Sequence, residues 1–292
     1  MSSRSRQTIE RRQLGAELNR LRKAAGKQQK DAAAVLECDS SVISRMEGGG
    51  RPLKRLEVDA LLDLYGVPAE ARPEIYDLAQ VARQRQPRRM HSDVMPGAFR
   101  RLSDHEAFAS EIYYSEGEII PGLLQTEDYA RALIRVSRAA IGADDPIEVE
   151  NLVQFRMERQ ELLTREDAPR LWFVIGEAAL RRPLGSRTIL LNQIRRLLLV
   201  IENQRTVTIQ VAPLSIADHP MLGDSMAIFR FGAKAPDTVY QSTFIEGGVY
   251  LKADEDIAAC IHAFDRLRAV ALGPDQSREF LTRCVKELDG AS

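Results

Sequence analysis

The chain has 292 residues, which at roughly 100–200 residues per domain is room for about two domains, each able to bury a core. Its 44% apolar and 28% charged residues are those of a soluble globular protein, and no apolar run approaches the ~20 residues that span a bilayer, which excludes a membrane protein of the helical kind. The formal charge of −1 is unevenly placed: residues 1–90 carry 18 Lys and Arg against 12 Asp and Glu, the remainder 23 against 30, so the N-terminal third alone suits the neighbourhood of a polyanion.

Met1 to Arg12 is polar and basic without an apolar stretch, so it does not read as a secretory signal. Leu14, Leu18 and Leu21 then recur at i, i+4 and i+7, the period of one helical face, and predict a helix from Ile9 to Ala25 that Gly26 ends. A short helix follows from Gln28 to Leu36, burying Ala32, Ala33 and Leu36. Asp39 is placed as an N-cap, its carboxylate accepting the free backbone N–H groups of a third helix, Ser40 to Glu47, which buries Ile43 and Met46 and stops at Gly48-Gly49-Gly50. Pro52 to Val67 supplies further helix, with Val58, Leu61, Leu62 and Tyr65 inside.

Arginines and prolines between Arg83 and Arg101 break the helical pattern and read as a linker. Past Leu102, Ser103 and Glu106 have the spacing of a capping box. Helices are expected around Tyr129 to Val136 and from Pro146 to Thr164, and the first β signals only after that. Leu171–Ile175, Val207–Val211, Met226–Phe231 and Val239–Phe244 each fit a short strand, with an apolar helix, Thr188 to Glu202, between the first two. Helices Glu255–Leu272 and Asp275–Leu288 close the chain. The fold class expected is α+β: an all-α N-terminal domain of five short helices (1–82), a linker (83–101), and a larger domain (102–292) of helices with a small, mostly antiparallel sheet.

Gly26 to Pro52 is the informative stretch, because a short helix, a tight turn and a second short helix that starts on serines have the form of a helix-turn-helix. The two helices of such a unit cross closely, which suits the small Ala33. Side chains that approach base edges from a helix start must be short and polar, as Ser40, Ser41 and Ser44 are, and Arg45 adds a fork able to reach guanine or phosphate. Gln29 is placed to hold a phosphate, and Arg51, Lys54 and Arg55 are further phosphate candidates. Glu47, at the end of the second helix, suits an ion pair or backbone contact better than a base.

Ser41-Val42-Ile43-Ser44-Arg45-Met46-Glu47-Gly48-Gly49-Gly50-Arg51-Pro52 resembles the signature of lambda-repressor-like (Xre) helix-turn-helix regulators. The resemblance implies that Ser40, Ser41, Ser44 and Arg45 face bases and Gln29 a phosphate. One departure stands out: Glu37 occupies the turn position where that family carries glycine, at a cost of about 1–2 kcal/mol if the left-handed turn is kept. Pro121-Gly122-Leu123-Leu124-Gln125-Thr126-Glu127-Asp128-Tyr129-Ala130-Arg131-Ala132, with the blocks at 156–164, 177–185 and 269–277, resembles the actinobacterial WhiJ-like group, Xre regulators with a C-terminal domain of unknown function. That likeness implies a regulator of development or specialised metabolism, by family default a repressor, and the symmetry that helix-turn-helix operators usually have implies a homodimer on a near-palindromic operator in double-stranded DNA. It also implies a small protein partner encoded nearby, with a small-molecule effector as the alternative. Tyr240-Gln241-Ser242 departs from the Tyr-x-Glu of that group.

The Pro121–Thr126 block has a plain structural reading: a turn, two packing leucines and a capping threonine. Asp218-His219-Pro220 lies in a loop after an apolar strand, where ligand or catalytic residues often sit. Yet His91, His105, His219 and His262 have no metal spacing, Cys38, Cys260 and Cys284 form neither a metal nor a disulfide pattern, and neither a nucleophile elbow nor a phosphate-binding glycine loop occurs. No catalytic residue, cofactor or metal is therefore expected. The competing reading is a C-terminal ligand-modifying enzyme with a DNA-binding appendage. The expected compartment is the cytoplasm, at the nucleoid.

Overall fold

The computed structural model describes residues 9–83, 97–143, 145–232, 235–243, 248–251 and 253–290. It divides into two compact units at residues 88/89, with the stretch 231–236 grouping with the N-terminal one.

The N-terminal unit is helical: α1 (Ile9–Ala24), α2 (Gln29–Val35), α3 (Ser40–Glu47), α4 (Arg55–Leu64) and α5 (Arg72–Arg83), with a 3-10 turn at Ala69–Ala71. Leu14 and Leu18 of α1, Ala32 and Ala33 of α2, Ile43 and Met46 of α3, and Val58, Leu61 and Leu62 of α4 form one buried core. Asp39 caps α3, its Oδ1 accepting the Ser41 N–H at 2.7 Å. Helix α4 is shorter than the Pro52–Val67 stretch read from sequence, and starts where Glu57 Oε2 accepts the Lys54 N–H at 2.7 Å.

The C-terminal unit is built on one six-stranded sheet of order β3-β2-β1-β4-β5-β6, from β1 (Glu111–Glu116), β2 (Arg170–Gly176), β3 (Val207–Ala212), β4 (Met226–Arg230), β5 (Thr238–Gln241) and β6 (Val249–Leu251). β1 pairs in parallel with β2, and β2 with β3; β1–β4, β4–β5 and β5–β6 are antiparallel. The sheet is thus mixed. Its parallel pairs require long crossovers, which the chain supplies as helices: α7 (Glu127–Ala139) and α8 (Pro146–Arg159) between β1 and β2, and α9 (Glu177–Arg181) and α10 (Arg187–Asn203) between β2 and β3. After β6 come α11 (Asp254–Val270) and α12 (Pro274–Gly290).

Side chains alternate across the strands. One face carries Val174, Ile228 and Val239, which cluster with Ile257, Phe264 and Leu267 of α11. Tyr114 and Phe173, at alternate positions, stack on the other face with ring centroids 5.2 Å apart. Gln210 of β3 ties sheet to helix: it accepts the Trp172 indole N–H at 2.7 Å and donates to the Arg268 and Leu272 carbonyls at the end of α11.

Three sequence expectations are corrected. Residues 97–101, read as linker, belong to α6 (Gly97–Phe108), while 84–96 lie outside the described residues. Ser103 and Glu106 therefore sit inside a helix and form no capping box; the Glu106 carboxylate is used by Arg159 and Tyr114 instead. Strand structure begins at β1, ahead of the first β signal read from sequence, because β1 is a central strand of polar and aromatic residues.

Candidate functional site

Helix α3 presents two faces. Ile43 and Met46 are buried, while Ser40, Ser41, Ser44 and Arg45 are exposed. Positions i, i+1, i+4 and i+5 fall within about 140° of one another around a helix, so the four side chains named from sequence form one polar face that runs from the start of α3 to its last turn. Arg45 is held along it, its Nε donating to the Ser41 carbonyl at 3.2 Å.

The far end of α3 is fixed from inside. Glu47 takes Arg22 on both carboxylate oxygens, at 2.6 and 3.0 Å, and its Oε2 also accepts from Asn19 at 2.7 Å and Gln29 at 2.9 Å. The Arg22 and Glu47 side chains are only 9% and 6% exposed, which makes this a desolvated pair with its lone pairs filled rather than a surface ion pair. Burial pushes the Glu47 carboxyl up, but the hydrogen bonds from Arg22, Gln29 and Asn19 outweigh it and hold the group below the usual carboxylate range. α1, α2 and α3 are thereby locked to one another. The structural reading of Glu47 stands, and its partners Asn19 and Arg22 are residues that sequence reasoning did not find.

Backbone contacts reinforce the lock. A Cβ at Gly15 would lie 2.3 Å from the Glu47 carbonyl oxygen, so α1 meets the end of α3 at a distance that only glycine permits. The turn between α2 and α3 keeps its left-handed residue: Glu37 has φ +49°, the only positive φ among the described non-glycine residues.

Gln29, the phosphate candidate, spends one amide hydrogen on Glu47 and has a second to offer. Arg51 is paired with Glu57 at 2.6 Å, so its charge is partly engaged. Lys54 is exposed at the N-terminus of α4, and Arg55 lies over the Tyr76 ring, 3.3 Å from its centroid. Lys23, Lys27 and Lys30 are also exposed on or beside α1 and α2, and were not singled out by the sequence.

The C-terminal unit holds a second feature, a cavity of about 390 Å³ between the sheet and the α7–α8 pair. Three glutamines build the Pro121–Thr126 turn on its wall. Gln125 Nε2 donates to the Ile120 carbonyl, Gln160 to the Gly122 and Gln125 carbonyls, and Gln193 both donates to the Leu124 carbonyl and accepts the Thr126 N–H. Leu123 and Leu124 are buried and Thr126 caps α7, as the structural reading of this block had it; Gly122 and Gln125 also line the cavity. Behind them Arg159 makes a buried pair with Glu106, which also accepts the Tyr114 hydroxyl at 2.6 Å. Burial pushes the Tyr114 phenol well above its ordinary value, with the Glu106 charge acting in the same direction. His219 is no part of this wall; its Nδ1 accepts the Met221 N–H. The glutamine turn and the two arginines three apart in the 156–164 block were the signals that could have located the cavity.

Among the described residues no group of three or more His, Cys, Asp or Glu could hold a metal ion, and no helix is long and apolar enough to cross a membrane.

The short exposed helix, the preceding helix locked across it and the tight turn between them define a helix-turn-helix protein of α+β class, and a family model described as a helix-turn-helix domain matches residues 13–75. A second, the domain of unknown function DUF5753, matches residues 99–283, more than half of the chain. The chain belongs to that family. No curated protein and no solved structure matches it.

Proposed function

We propose that the protein is a sequence-specific DNA-binding transcriptional regulator whose α3 enters the major groove. The observation that carries this reading is the exposed Ser40–Ser41–Ser44–Arg45 face on a helix held rigid by the buried Glu47–Arg22 pair. A preformed helix with short polar residues at its start can approach base edges without first being ordered. Arg45 supplies a fork for guanine, and Gln29, Arg51 and Lys54 position the backbone through phosphates. The basic balance of residues 1–90 favours the same partner.

The finer reading is a homodimer on a near-palindromic operator with half-sites about 34–36 Å apart, acting as a repressor of the Xre type in the cytoplasm. Its C-terminal unit would take the controlling signal, from a small protein partner or a ligand. Selection of bound duplexes from a random pool by the full-length protein tests this. Enrichment of a shared two-fold motif supports the reading; a pool that stays random after repeated rounds counts against sequence-specific recognition.

A further inference from the structure

The cavity of the C-terminal unit is lined by both apolar and charged side chains. Leu133, Ile134, Ile141, Leu152 and Phe155 supply an apolar wall from α7, α8 and the residues after α7. The charged groups of the lining are Glu116 on β1, Arg138 on α7, and Glu148, Arg156 and Arg159 on α8, and three of them are already balanced: Arg159 by Glu106, and Arg138 and Glu148 by each other. Arg156 is different. It lines the cavity, is largely out of solvent, and its one hydrogen bond among the described residues goes to the neutral side-chain amide oxygen, Oε1, of Gln125 at 2.8 Å. Among the described residues no carboxylate stands within ion-pair distance of it.

A guanidinium in such a place is costly without an anion. Five N–H donors in a fixed fork, with one used, leave a surface that fits a carboxylate. Glu116, also on the lining, does not supply the missing charge in full: burial pushes its carboxyl up to about 7, against the opposing influence of the Ser225 hydrogen bond and the Arg156 charge. Arg156 is itself lowered to about 10, by burial first and Arg159 second, and remains a cation at neutral pH. An apolar body against the α7–α8 wall and an anionic head at Arg156 would satisfy both ends, and about 390 Å³ is the size of a small-molecule pocket.

We propose that this cavity is a binding site for a small amphiphilic acid, with Arg156 holding its carboxylate and the apolar side chains of α7 and α8 holding its hydrocarbon part. The site is independent of whether α3 reads DNA.

The test uses the full-length protein and the fluorescent amphiphilic anion 1-anilinonaphthalene-8-sulfonate, displaced by decanoate, decanol or decylamine. Decanoate is expected to displace the dye and raise the melting temperature at concentrations at least about tenfold below those needed for decanol or decylamine, the margin set by charge-assisted hydrogen bonds. Arg156→Gln should erase that margin. Ser137, exposed on the cavity rim, provides a second variant, Ser137→Trp, which should weaken decanoate by obstruction while leaving Arg156 in place. Equal or tighter binding of decylamine, no displacement by any of the three, a decanoate preference unchanged in a folded Arg156→Gln protein, or a decanoate affinity unchanged in a folded Ser137→Trp protein would overturn the proposal.

Discussion

A carboxylate shut away from water between helices is unfavourable unless its lone pairs are filled, and Glu47 fills them from Asn19 and Arg22 of α1 and Gln29 of α2. Glu47→Gln keeps the shape but leaves Arg22 buried without its anion, and should cost about 3–5 kcal/mol in a denaturant melt of the N-terminal unit. The pH dependence follows from the direction of the shift. The folded carboxyl titrates below its ordinary 4.5, so below that value the unfolded state binds more protons than the folded one. The stabilisation is complete above about pH 4.5 and is lost as pH falls through the depressed folded value. Melts across that range should show wild type approaching Glu47→Gln at acid pH; parallel curves would mean that Glu47 is not the group responsible. Glu37 makes the opposite point. Its φ of +49° is strain with no compensating contact of its side chain among the described residues, so Glu37→Gly should stabilise by about 1 kcal/mol. Unchanged or lower stability would show that the turn bears no such strain. The glutamate in a glycine position was visible in the sequence. The partners of Glu47 were not, because Arg22 lies 25 residues away and only the crossing of α1 over α3 brings the two together.

Elements were legible where one physical signal dominated. The 3.6-residue period of Leu14, Leu18 and Leu21 and the cap at Asp39 locate α1 and α3, and apolar runs locate β2 and β3. β1 was hidden because its polarity is absorbed by neighbours: Glu111 is bonded by Tyr113 and Arg170, so a strand at the middle of the sheet carries glutamates at both ends. β6 has three residues, too few for a periodic signal. The Ser103–Glu106 spacing is a local pattern that cannot distinguish a helix start from a helix interior, and Glu106 is claimed by an arginine 53 residues on. Among helix pairs, the α1–α3 crossing is the sharpest test of the assembly. At Gly15 an added Cβ meets backbone on α3 that has no rotamer to change. Gly15→Ala should therefore cost about 1–3 kcal/mol and weaken DNA binding by displacing α3. A variant with unaltered melting and unaltered DNA affinity would show that the two helices do not meet so closely.

At the scale of the whole molecule, the division into two units sets a basic helical part beside an acidic α+β part on one chain. Composition announced that asymmetry, and the helix-turn-helix was readable because its demands are local: a cap, a small residue at the crossing, serines at a helix start. The cavity was not readable, because Tyr114 on β1, Gln125 in the turn, Arg156 on α8 and Tyr240 on β5 converge only once the mixed sheet has formed. The most direct measurement is fluorescence anisotropy of the full-length protein and Arg45→Ala on a duplex from upstream of its own gene and on a scrambled duplex, across a salt series. A preference for the native duplex is expected to persist near physiological salt, with Arg45→Ala losing about 1–3 kcal/mol on that duplex and less on the scrambled one. If the protein binds neither duplex even at low salt, or binds both equally with Arg45→Ala indistinguishable from wild type, then α3 is not reading bases and the account is contradicted.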